Sequence, residues 1–147
     1  MTATFSHVGI SVVNLERSLA FYRDLLGMKV VEEVTFEGER YEAILALKGA
    51  RGRIAILKSG NLAVELFEFM EPTPKAAEGM RPVSDHGITH VAVEVDDIQE
   101  LYDRLRTAGV SFHCPPIHFP ACATATYARD PDGNVVEMLQ LAESGSE

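Results

Sequence analysis

The sequence predicts an α+β fold of two tandem βαβββ modules, each a strand and a helix followed by about three strands. Three observations predict it: an internal repeat, a change from two-residue to helical spacing at the same place in each copy, and matching last strands. The repeat is direct. His7-Val8-Gly9-Ile10-Ser11-Val12 answers His90-Val91-Ala92-Val93-Glu94-Val95, and each is followed by a stretch of helical spacing that ends at a glycine.

The first strands come from the alternation of Val8, Ile10 and Val12, and of Val91, Val93 and Val95, which places each histidine on the opposite face. Leu15, Leu19, Tyr22 and Leu26 then recur at helical spacing, with Asn14 placed to cap the helix and Gly27 to stop it. Ile98, Leu101 and Leu105 form the second helical stripe, opened by an aspartate and closed by Gly109. Further strand-like runs follow each helix. In the first copy they are Met28 to Thr35, Arg40 to Leu47, Arg53 to Lys58 and Leu62 to Met70; in the second, Val110 to His113, Thr124 to Arg129 and Val135 to Leu141. The proline-rich stretch Pro115 to Pro120 and the turn Asp130-Pro131-Asp132-Gly133-Asn134 separate the last three. The modules therefore span about residues 5–70 and 86–142, joined by a Pro- and Gly-containing linker at 71–85, within a single domain of 147 residues.

Composition narrows the function. With 13 Lys and Arg against 22 Asp and Glu, a net charge of −9 and no basic stripe, the chain lacks the clustered cations that nucleic acid requires. No window approaches the roughly 18 apolar residues of a membrane span, and the start has no secretory signal, so a cytoplasmic protein with a small-molecule partner is expected. Cys114 and Cys122 fit neither a CxxC pair nor a zinc knuckle and read as two free thiols.

The last strands carry the chemistry. Asn61 to Phe69 answers Asn134 to Leu141, and each holds one carboxylate, Glu65 or Glu137, in an otherwise apolar run. A carboxylate there needs a cation, a metal or open solvent beside it. Together with His7 and His90, the two glutamates offer two imidazoles and two carboxylates. That set suits a divalent metal ion such as Zn, Ni, Co, Mn or Fe(II), with positions left for water or substrate. The opposing reading is four residues that merely face solvent or are satisfied within their strands.

The motifs around these residues resemble the vicinal oxygen chelate superfamily, which includes glyoxalase I, methylmalonyl-CoA epimerase, extradiol dioxygenases and the fosfomycin and bleomycin resistance proteins. The resemblance runs from His7 to about Leu141. It is strongest at His7 to Val12 with Leu25-Leu26-Gly27-Met28, at Gly87 to Ile98, and at Tyr127-Ala128-Arg129-Asp130-Pro131-Asp132-Gly133-Asn134-Val135-Val136-Glu137. It implies paired βαβββ modules, a curved mixed sheet around a metal-binding cleft, and homodimers. By resemblance to the metal-dependent members, His7, Glu65, His90 and Glu137 are the ligands.

The glyoxalase and epimerase branch implies a lyase or isomerase in which Glu137 or Glu65 removes a proton beside a carbonyl through a metal-stabilised enediolate. The alternative is a non-haem Fe(II) extradiol dioxygenase cleaving a catechol-like ring, for which His118 and Tyr127 stand near the expected places. Glu65 favours the first branch, because a fourth protein ligand fills room that a catechol and dioxygen need. A third reading is a metal-free antibiotic-binding protein, whose relatives usually lack such a ligand set. Phe36, Tyr41, Phe67, Phe119 and Tyr127 are candidates to line a cleft, although strand aromatics are more often core. Glutathione-using relatives commonly carry an Arg where this chain has Ser11, and the epimerases usually present Gln where Glu65 stands, so the substrate stays open.

Overall fold

A computed structural model describes residues 2–75, 79–120 and 123–142. The chain divides into two compact units, Met1–Ala76 and Ala77–Glu147. In the first, β1 (His7–Val12), α1 (Leu15–Leu19), β2 (Lys29–Phe36), α2 (Glu39–Leu45), β3 (Arg51–Ser59) and β4 (Leu62–Glu71) follow in order. In the second they are β5 (Val91–Glu94), α3 (Ile98–Thr107), β6 (Ile117–Phe119), β7 (Ala123–Arg129) and β8 (Val135–Leu141).

Each unit contains one four-stranded mixed sheet, and the two sheets share a topology: β1-β4-β3-β2 and β5-β8-β7-β6. The first and last strands of each unit pair in parallel, and the remaining neighbours are antiparallel. The last strand is thus central in its sheet, flanked by the strand that carries or follows the histidine.

Helices α1 and α3 begin as their sequences dictate. Asn14 accepts a hydrogen bond from the Arg17 N–H at 2.8 Å and Asp97 one from the Glu100 N–H at 2.9 Å. Helices α1 and α3 each gain a second acceptor from the last strand of their unit: the N–H of Leu15 donates to Glu68 Oε1 and that of Ile98 to Gln140 Oε1, both at 3.0 Å. These groups would otherwise be orphaned at a helix start. After α1 the chain widens into a π-helical segment, Ala20–Leu25, which buries Phe21 and Tyr22 before Gly27 turns left-handed at φ 75°.

The two faces of the first sheet differ. Leu66, Val64, Leu57 and Ala55 are buried along one face of β3 and β4, in the same unit as the buried α1 residues Leu15 and Leu19. The alternate positions Glu65, Phe67 and Phe69 share the opposite face, where buried Phe36, Ala50 and Ile54 gather Tyr41, Leu45, Phe67 and Phe69. Phe36 lies over Gly52, where a Cβ would stand 2.9 Å from its ring. Glycine is the residue that fits. In the second unit, Leu101, Leu105, Val136 and Met138 are buried.

Three expectations are corrected. Arg40 to Leu47 is not a strand: Glu39–Leu45 is a helix between Gly38 and the left-handed Ala46. Tyr41 and Leu45, about one helical turn apart, both pack on the Phe36 cluster, a spacing that the short window fits equally as strand or helix. Val110 to His113 is not a strand either; Phe112 makes an isolated bridge to Ala128. The pairing falls instead inside the proline-rich stretch, at β6, an edge strand bounded by Pro116 and Pro120, where missing N–H donors cost no ladder bond. Cys114 is a free thiol, and Cys122 lies outside the described residues. Among the described residues, no helix is long and apolar enough to cross a membrane.

Candidate functional site

The parallel pairing of first and last strands sets the candidate ligands side by side. In the first unit Gly9 stands opposite Glu65, and in the second Ala92 stands opposite Glu137. Each histidine lies two residues before that small residue, hence diagonal to the carboxylate, and glycine or alanine leaves the space between them open. His7 Nε2 is 3.4 Å from Glu65 Oε2; His90 Nε2 is 2.9 Å from Glu137 Oε2.

Both pairs reach solvent. Side-chain exposure is 43% for His7 and 20% for Glu65, and 29% for His90 and 17% for Glu137. Each Nε2 faces its carboxylate oxygen within contact distance. The separations also fit metal ligation, because two donors about 2.1 Å from one ion and about 90–110° apart stand roughly 3.0–3.4 Å from each other. Nitrogen and carboxylate oxygen are donors that divalent transition ions accept. Among the described residues, neither unit gathers three or more His, Cys, Asp or Glu around one point. Each unit holds one imidazole–carboxylate pair.

The surroundings of the pairs diverge. A cavity of ≈ 380 Å³ opens beside His7 and Glu65, lined also by Ser6, Glu32, Ile56 and Lys58. Ile56 stands across from Glu65 on β3. The equivalent place in the second unit is Tyr127, across from Glu137, with its ring centroid 5.0 Å from that of His90. Burial, and then the Glu137 charge, push the Tyr127 phenol above its ordinary pKa. Two residues further along β7, Arg129 donates from Nε to His113 Nε2 at 2.9 Å and from Nη1 to the carbonyls of Arg81 and Gly133. Burial, and then the Arg129 charge, hold His113 below its ordinary pKa.

His118 lies elsewhere in its unit, exposed on the edge strand β6, with Nδ1 3.2 Å from Thr124 Oγ1. Among the aromatic candidates, Phe36 is fully buried core, Tyr41 and Phe67 pack on it, and Phe119 is exposed at the sheet edge. Sequence reasoning missed the hydroxyl beside each histidine: Ser6 Oγ is 3.0 Å from His7 Nδ1 and Thr89 Oγ1 is 2.8 Å from His90 Nδ1. Their signal was present as Ser-His and Thr-His at matching places in the repeat.

The family described as the Glyoxalase/Bleomycin resistance protein/Dioxygenase superfamily matches residues 4–138, a span that includes His7, Glu65, His90 and Glu137. The chain belongs to this superfamily. Its similarity to curated members is modest in identity and broad in extent. It is 27% identical over 144 residues to a lactoylglutathione lyase of Salmonella typhimurium, covering 95% of this chain and 93% of that protein. A Haemophilus influenzae lactoylglutathione lyase is 28% identical over 141 residues, covering 91% and 90%. The superfamily fold is equally plain in solved structures. A glyoxalase family protein from Bacillus cereus superposes with a TM-score of 0.88 at 22% identity, covering 96% of this chain and 95% of that one. The glyoxalase I of Leishmania major gives 0.67 at 23% identity, covering 95% and 87%.

Proposed function

We propose that this superfamily member is a divalent-metal-dependent enzyme of the glyoxalase or epimerase kind, moving a proton on carbon next to a carbonyl. The observation that supports it is the repeated His–Glu pair, His7 with Glu65 and His90 with Glu137, at donor separations suited to ligation. The lactoylglutathione lyases it resembles along nearly its whole length point to the same chemistry.

In this reading His7 and His90 ligate through Nε2, and Glu65 and Glu137 supply carboxylate oxygens. A bound divalent cation contributes Lewis-acid stabilisation of negative charge developing on the substrate oxygens. The chain's own groups do the rest. Glu137 or Glu65 accepts the proton from the carbon beside the carbonyl and returns it to the substrate. The partly buried setting of both carboxylates limits water that would otherwise solvate them. The cavity beside His7 and Glu65 gives a small substrate access to that pair.

The test is isotope exchange in D₂O with a panel of 2-oxo thiohemiacetals and acyl-CoA epimers. Deuterium entering beside the carbonyl, and failing to enter with the Glu137→Gln variant, is the expected result. A second reading, an Fe(II) extradiol dioxygenase, draws on Tyr127 beside His90. Ring opening of a catechol with no exchange on any carbonyl substrate would overturn the first reading in its favour. Binding without turnover of either substrate class would point to a metal-free binding protein.

A further inference from the structure

A hydroxyl residue precedes each histidine, and in both units its oxygen lies on the ring nitrogen remote from the glutamate. Ser6 Oγ approaches His7 Nδ1 at 3.0 Å while Nε2 faces Glu65; Thr89 Oγ1 approaches His90 Nδ1 at 2.8 Å while Nε2 faces Glu137. Neighbouring side chains in a strand point to opposite faces and do not meet. Both contacts occur where the strand has not yet begun: Ser6 precedes β1, and Thr89 and His90 precede β5.

We infer that Ser6 and Thr89 are positioning residues that hold His7 and His90 in register with a metal while letting each ring change tautomer. The inference rests on the reading of His7 and His90 as ligands. A hydroxyl is both donor and acceptor, unlike a carbonyl or carboxylate. In the neutral ring with its proton on Nε2, that proton faces the glutamate oxygen, Nε2 to Oε2 being 3.4 Å at His7 and 2.9 Å at His90, while Nδ1 is a lone pair to which the hydroxyl donates. Ligation through Nε2 requires the ring proton on Nδ1, which then donates to the same hydroxyl after it rotates. The ring keeps one proton throughout: Nε2 loses one to solvent and Nδ1 gains one from solvent. A carbonyl oxygen in place of the hydroxyl would serve the second state alone and leave the first with two facing lone pairs. The hydroxyl keeps ring orientation fixed in both, so loading and release need no rearrangement of the strand.

The test uses proton–nitrogen correlation spectra of histidine-labelled protein with and without zinc, together with zinc affinity measured by competition with a chelating dye. Wild type is expected to show His7 and His90 protonated on Nε2 without metal and on Nδ1 with zinc. Ser6→Ala and Thr89→Val should each weaken zinc binding by about 10–100-fold and blur the tautomer preference, with Thr89→Ser restoring both. Unchanged affinity and unchanged tautomers in folded Ser6→Ala and Thr89→Val would overturn the inference while leaving the ligand reading intact. Histidine signals of wild type that ignore zinc would instead remove the ligand reading, and the inference with it.

Discussion

Tyr127 stands directly opposite Glu137 across β7 and β8, at the register position where Ile56 faces Glu65 in the other unit. The two His–Glu pairs are therefore alike in backbone placement and unlike in wall. One carboxylate has an aliphatic neighbour and an open cavity beside it; the other has a phenol whose proton is held by burial and by the carboxylate charge.

Proton transfer by the glutamates predicts that Tyr127→Phe and His118→Ala each keep turnover within about tenfold of wild type, since a general acid or base contributes about 10²–10⁴-fold. Phe preserves the ring contact with His90. Steady-state kinetics on the carbonyl substrate check this, and a loss of catechol cleavage in either variant would shift the assignment to the dioxygenase.

Glu137→Gln should lower turnover by about 10²–10⁴-fold and weaken metal binding, with a native circular dichroism spectrum. Glu65→Gln should weaken metal binding as well, because an amide oxygen is a poorer ligand than a carboxylate. Full activity and full metal occupancy in Glu137→Gln would remove its catalytic role.

Acid should destabilise the protein through His113. Burial and Arg129 hold its folded-state pKa below the ordinary value, and its Nε2 accepts a hydrogen bond from Arg129. As pH falls below about 6.5, the unfolded chain takes up a proton that the folded one resists, so folding stability decreases. Denaturation midpoints between about pH 7.5 and 5.5 should drop further in wild type than in His113→Gln, which retains an acceptor and does not titrate. An equal drop in both would place the effect elsewhere.

Glu68 and Gln140 each support a helix start from the last strand, and Glu68 also binds Arg53 at 2.8 Å. Glu68→Ala should cost about 1.5–3 kcal/mol and Gln140→Ala about 1 kcal/mol, the values for hydrogen bonds to charged and neutral groups. Glu68→Gln keeps the acceptor for the Leu15 N–H and should fall between wild type and Glu68→Ala. Chemical denaturation reads all three.

Much of the fold was legible because the repeat carries its own punctuation. Asn14 and Asp97 cap the helices they were expected to cap, and Gly27 and Gly109 take the left-handed conformation that ends them. The candidate ligands were legible as residue types at matching places; their partners were set by register, which the sequence does not display. Tertiary packing decided what local pattern left open. Tyr41, Ala43 and Leu45 alternate like a strand, yet Glu39–Leu45 is a helix whose Tyr41 and Leu45 both pack against the cluster of Phe36, Ala50 and Ile54. Prolines at 115, 116 and 120 hid β6, because a three-residue edge strand pairs on one side only and tolerates proline at its ends.

Metal content is the measurement to make first: elemental analysis of protein purified without added metal, then removal and restoration with a chelator while thermal unfolding is followed. Ligation by the two His–Glu pairs predicts a near-stoichiometric divalent metal content, a higher unfolding temperature with metal than without, and loss of both in His90→Ala. A folded protein that holds no metal, takes none up and unfolds at the same temperature with or without it would contradict the metalloenzyme reading and leave the two His–Glu pairs as plain side-chain contacts.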